Sequence, residues 1–115
     1  MKENIDINSV AMSVILNAGD GREKIDLALE HMARFAFGEA EDLLKEAEEK
    51  IVEAHNAQTE VIQSQVSGEN VEYSLLFIHA QDTVMTITTE LRMVQKMLPI
   101  FRALNQRKQE DERHG

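Results

Sequence analysis

The stretch LLFIHAQDTVMT, residues 75–86, decides how this chain folds. Apolar residues bracket it, yet it holds His79 and, three positions on, Asp82. Either group costs several kcal/mol if buried without a partner. Around this stretch, Phe77, Ala80, Val84, Ile87, Leu91, Val94, Leu98 and Phe101 step by three and four without a miss. That spacing predicts a helix from about Ser74 to Leu104. A second set lies on roughly the opposite side: Leu75, Ile78, Asp82, Met85, Thr89, Met93 and Ile100, with Met93 one step out of strict phase. A helix in a three-helix monomer buries only one face. A second apolar face implies another partner, most simply copies of the same chain around a symmetry axis.

Upstream, Ile7, Ala11, Val14, Ala18, Gly21, Ile25, Ala28, Met32 and Phe35 form one heptad stripe. It stays in phase through Gly19 and Gly21, although each glycine costs a helix roughly 1 kcal/mol against alanine. One long helix is therefore predicted, its glycines permitting close packing; a break at NAGDG is the alternative. Gly38 is expected to end this helix, and the second to start near Glu39. Ala40, Leu44, Ala47, Ile51, Ala54, Gln58 and Val61 form its stripe, with EAEDLLKEAEEK as a solvated charged face. Acidic residues crowd its first turns, as the helix dipole favours. QVSGEN stops it, with Gly68 as a C-terminal cap and Ser67 to Asn70 as a loop. Pro99 is expected to kink the third helix near its end. The expected organisation is an all-α, three-helix antiparallel bundle over residues 1–104, followed by a charged tail, 105–115, that frays.

The bulk composition agrees. At 115 residues, 43% hydrophobic but only 4% aromatic, the chain holds one domain whose core is built from aliphatic side chains and Met. Five Gly and one Pro leave little turn chemistry for a sheet protein. A formal charge of −9 argues against binding a nucleic-acid backbone. Zero Cys excludes disulfides, thiolate metal sites and a cysteine nucleophile, and fits a reducing compartment. The N-terminus MKENIDINS is not a signal peptide, and no apolar run spans a membrane. The chain is expected to be cytoplasmic.

Two residues carry candidate chemistry. Asp82 occupies the position of a core leucine in the second stripe. If that face meets copies of itself, carboxylates converge on the axis and must share protons or bind a hard cation such as Mg²⁺. A register-setting polar residue is the bland alternative. His79 sits at the edge between the two faces. It is either a hydrogen-bonded structural residue or a nucleophile whose neutral imidazole accepts a phosphoryl group. Gln81 is a candidate support for the other ring nitrogen or a phosphate oxygen, although helical geometry points it away. His31, His55 and His114 read as structural or surface residues. No Walker loop, GxGxxG, HExxH or di-iron Glu-x-x-His pattern occurs. Phosphate, if involved, must arrive on another protein.

EAHNAQTEVI, then a Gly-containing loop, then VEYSLLFIHAQDTVMT resembles the enzyme IIA component of the lactose/cellobiose class of the sugar phosphotransferase system. That family's pattern runs EAHxxQTxLI, an acidic Gly loop and SLLLVHAQDHLMT. ILNAGDGREKIDLAL is similar to its first helix and GEAEDLLKEAEE to its second-helix start, so the resemblance covers about residues 9 to 104. It implies a three-helix subunit assembled as a homotrimer of nine helices. It also implies a phosphohistidine carrier that accepts from phospho-HPr on His79, at Nε2, and donates to a cysteine of the IIB component. Asp82 would meet its symmetry mates around a metal. The sequence departs from the pattern at Thr83, where the family has a second histidine, at Gly21-Arg22-Glu23, and in Pro99 and the tail. From the residues alone, a non-catalytic helical adaptor and a two-component histidine phosphotransfer domain remain rivals.

Overall fold

The computed structural model describes residues 6–68 and 74–114. They form three helices: α1 (Ile7–Ala33), α2 (Phe37–Val66) and α3 (Leu75–His114). Cross-helix contacts set their directions. Asn8 on α1 accepts a 2.7 Å bond from Ser74 before α3, and Arg22 reaches Glu90 at 3.1 Å, so α1 and α3 run parallel. Lys24 to Glu46 at 3.3 Å and Arg102 to Glu41 at 3.5 Å make α2 antiparallel to both. The all-α antiparallel bundle is as expected.

The three predicted stripes are the core. Every member from Ile7 to Met32, from Ala40 to Val61 and from Phe77 to Leu98 is buried. Seven of these residues are alanines, which lets helix backbones approach closely. Helix α1 is continuous through both glycines, but for only one of them is packing the reason. A Cβ on Gly21 would sit 3.2 Å from Ile51 Cδ1 and 3.4 Å from the Ala47 carbonyl, whereas Gly19 has nothing within 4 Å. Gln58 is the one polar side chain in the core stripes; it is 9% exposed and its Oε1 has no hydrogen-bond partner.

Three expectations are corrected. Gly38 does not end the first helix. That helix stops at Ala33, and Gly38 lies in the first turn of α2. The stop is a Schellman turn: the Phe35 amide donates to the Met32 carbonyl at 3.0 Å and the Ala36 amide to the His31 carbonyl at 2.8 Å. Phe35 takes the left-handed conformation, φ 63°, where glycine is usual. Second, the stripes overrun. Phe35 and Phe101 are 56% and 42% exposed rather than buried. Third, residues 105–114 continue α3 instead of fraying, because Arg, Lys, Gln and Glu are good helix formers. Pro99 lies inside that uninterrupted helix. At the end of α2, Gly68 has φ 81°, as a C-terminal cap requires; the expected loop extends beyond the described residues.

Candidate functional site

Ser74 starts α3 and ties it to α1. Its hydroxyl accepts from the Phe77 amide at 3.1 Å while donating to Asn8, so the helix begins with a satisfied cap. His79 follows in the second turn and is exposed. Downstream the hydroxyls of Thr83, Thr86, Thr88 and Thr89 donate to the carbonyls of His79, Asp82, Val84 and Met85, at 2.8, 2.8, 2.6 and 3.1 Å.

Helical phase assigns each candidate to a flank. His79, Thr83, Thr86 and Glu90 form one row at steps of four, three and four. This row faces α1, because Glu90 pairs with Arg22. Gln81, Thr88, Gln95 and Arg102 form another row at steps of seven. It faces α2, because Gln95 and Arg102 approach Glu48 and Glu41, each at 3.5 Å. Asp82 lies between the rows, turned away from both neighbours, and is exposed. Within one chain, then, Gln81 and His79 stand on opposite flanks of α3. The structure brings His79 and Asp82 to adjoining outward positions one turn apart.

Apolar and polar side chains both surround His79. The contacts of Asn8 and Arg22 hold α1 and α3 at an offset of 66 to 68 residues, which sets His79 about level with Met12. Met12 and Leu16 are exposed on α1, and Leu75, Ile78 and Met85 on α3. With the polar Asn8, Ser9, Ser13 and Asn17 beside Met12 and Leu16, they form a partly apolar apron around an accessible imidazole. Exposed apolar patches of this kind mark contact with another molecule. A docked protein can reach and cover an exposed imidazole at this position.

A divalent cation at Asp82 is not built by one chain. No group of three His, Cys, Asp or Glu side chains suited to a metal exists among the described residues. A hard divalent ion takes six or more oxygens. One carboxylate flanked by Ile78 and Met85 is too few, so the donor set fits only if several copies contribute Asp82. Nor is any helix among the described residues long and apolar enough to cross a membrane. Sequence reasoning missed the left-handed Phe35 and the link between Asn8 and Ser74. The polar Asn8 in the first turn of α1 is the sequence signal for the latter.

Comparison with known proteins bears on these features. A family model described as "PTS system, Lactose/Cellobiose specific IIA subunit" matches residues 9–102. The lichenan-specific phosphotransferase enzyme IIA component of Bacillus subtilis (strain 168) is 32% identical over 108 residues, spanning 91% of this chain and 96% of that protein. The cellobiose-specific enzyme IIA of Bacillus anthracis superposes with a TM-score of 0.81 at 33% identity, covering 90% of this chain and 94% of that one. An Escherichia coli chitobiose IIA, solved in complex with HPr, shares the fold with a TM-score of 0.76 at 24% identity, covering 88% of this chain and 98% of that one.

Proposed function

Because this chain belongs to the lactose/cellobiose-specific IIA family of the sugar phosphotransferase system, we propose that it is a cytoplasmic phosphocarrier whose acceptor is His79. It receives the group from phospho-HPr and passes it to a cysteine of the IIB component during uptake of a lactose-, cellobiose- or chitobiose-type sugar. The observation that carries this is an exposed imidazole set in a partly apolar apron on a regular helix, at the histidine of the HAQD motif. That a protein of the same fold is solved bound to HPr supports HPr as donor.

In the proposed step, Nε2 of neutral His79 attacks the phosphorus of the partner's phosphohistidine in line. The new N–P bond forms as the old one breaks, and the leaving imidazole recovers the electron pair. The docked apron excludes water, and positioning provides most of the acceleration. In the second transfer the IIB thiolate attacks the same phosphorus and His79 leaves.

The outward stripe of α3 seats copies of this chain as a homotrimer. Asp82 from three subunits then shares a divalent cation, Mg²⁺ by preference for hard oxygen ligands, which would neutralise the converging carboxylates. Gln81, across α3 from His79, can serve the imidazole only from a partner subunit. Asp82→Leu removes axial repulsion and should leave the trimer intact or tighter; dissociation to monomers would mean that the cation holds it together.

Incubation with enzyme I, HPr and phosphoenolpyruvate, followed by mass spectrometry, tests the assignment. Wild type should gain one phosphoryl group and His79→Ala none. Phosphate on His79→Ala would overturn the site. An unmodified wild type would favour the adaptor, and phosphorylation only from a receiver aspartate would favour a histidine phosphotransfer domain.

A further inference from the structure

The far end of the bundle holds two residues that are each locally unfavourable. Phe35 occupies the left-handed position of a Schellman turn, where a side chain with a Cβ is strained and glycine is not. Burial compensates only in part, because Phe35 is more than half exposed although its ring centroid lies 6.3 Å from that of Phe37. Pro99 lies inside α3, so the Gln95 carbonyl lacks its helical amide partner. Pro99 is exposed as well.

These two features stand level with each other, on opposite flanks of α3. Phe35 lines an apolar hollow of about 340 Å³ with Leu29, Met32, Ala33, Met97 and Phe101, which opens between α1 and α3. Pro99 is one turn from both Gln95 and Arg102, the residues that reach α2, so it belongs to the other flank. Its position along α3 falls midway between Met97 and Phe101. Beside the hollow, Met93, Ile100 and Leu104 are exposed and extend the outward stripe of α3 to this end, with Lys96 between Met93 and Ile100. The hollow is therefore continuous with the face assigned above to copies of the chain.

In a closed ring of parallel subunits, each α3 presents its α1 flank to the α2 flank of the next. At the level of the hollow, the exposed apolar residue facing it is Pro99. We infer that Pro99 of the partner subunit seats in the hollow closed by Phe35, forming a lock between subunits at the end remote from His79. This rests on the trimeric reading above. It accounts for both local costs: an aromatic ring is kept in a strained turn, and a proline in a helix, because they meet across an interface. A further copy of this chain is the occupant, since the contact repeats around the ring and leaves no hollow unfilled.

The test is a double-mutant cycle on the full chain, read as the concentration of half-dissociation in sedimentation and as the rate of subunit exchange. Phe35→Gly and Pro99→Ala each relieve a backbone cost within the protomer, so neither endangers the fold. Each should nonetheless raise the half-dissociation concentration about tenfold or more. The double variant should be little worse than either single one, because both remove the same contact. Phe101→Ser should act in the same direction. A trimeric wild type whose variants dissociate no more readily, or whose effects simply multiply, would overturn the lock and leave the trimer standing. A wild type that is monomeric at every concentration would overturn the trimeric reading and the lock with it.

Discussion

Both ends of the bundle expose greasy side chains beside the stripe assigned to copies, but they come by them differently. At the His79 end, Met12 and Leu16 project from α1, outside the stripe assigned to copies of the chain and without backbone cost, and α3 starts with a satisfied serine cap. At the other end, Phe35 stands in a left-handed turn and Pro99 breaks a backbone bond inside α3. Exposure without backbone cost suits a surface that is uncovered for much of its working life, as a carrier meeting successive partners requires. Exposure that carries a backbone cost makes sense where cover is permanent. The difference separates two kinds of contact on one chain of 115 residues.

The largest effect should come from the core that both ends share. Ile87, on α3 between the two ends, is 1% exposed. Ile87→Ala should cost about 2–5 kcal/mol in denaturant unfolding. If it destabilised the protein by far less, the ends would be supported independently and the contrast would need another basis. Next comes a charge placed at each end in turn. Met12→Glu should slow phosphoryl uptake from HPr about tenfold or more by disturbing the docked apron, while Phe35→Glu should leave the rate of uptake per subunit unchanged. Equal slowing by both would erase the distinction. Smaller still is Gln58→Leu, which removes an orphaned buried acceptor and should stabilise the fold by about 1 kcal/mol without altering phosphoryl uptake. Loss of uptake would show that the buried amide reaches the site.

The smallest effect is a pH dependence at the His79 end of α1. The side-chain and backbone hydrogen bonds from Ser9 lower the Asp6 carboxyl below its ordinary value of 3.8. A depressed carboxylate pKa contributes stability above the unfolded value and loses it as pH falls through the folded one. Thermal midpoints of wild type and Asp6→Ala should therefore differ at neutral pH and converge on acidification below 3.8. A gap that persisted in acid would mean that the cap acts without its charge.

Much of this was legible in the sequence. Burial follows hydrophobic period, so the heptad stripes named the core directly, even to the polar Gln58. The flank of His79 and the outward position of Asp82 follow from the same arithmetic. What failed did so for local reasons. Heptad counting carries on past the end of a helix, so it assigned Phe35 to a core that the chain had already left. Gly38 looked like the terminator because glycine usually fills the left-handed position, and here Phe35 fills it instead. The tail looked disordered because it is charged, yet its residues are strong helix formers. The proposed cation and assembly leave no signal in one chain beyond the second stripe, since Asp82 would gain partners only from other copies.

The threonines along α3 have a consequence for the chemistry. Read as letters, Thr83, Thr86 and Thr89 suggest a surface that welcomes solvent. Each hydroxyl proton is instead committed to a carbonyl four residues back, so these side chains keep an acceptor for solvent but no free donor. If His79 carries a phosphoryl group as proposed, the Thr83 hydroxyl one turn away already has its proton engaged and is a poor donor to that group or to a water beside it.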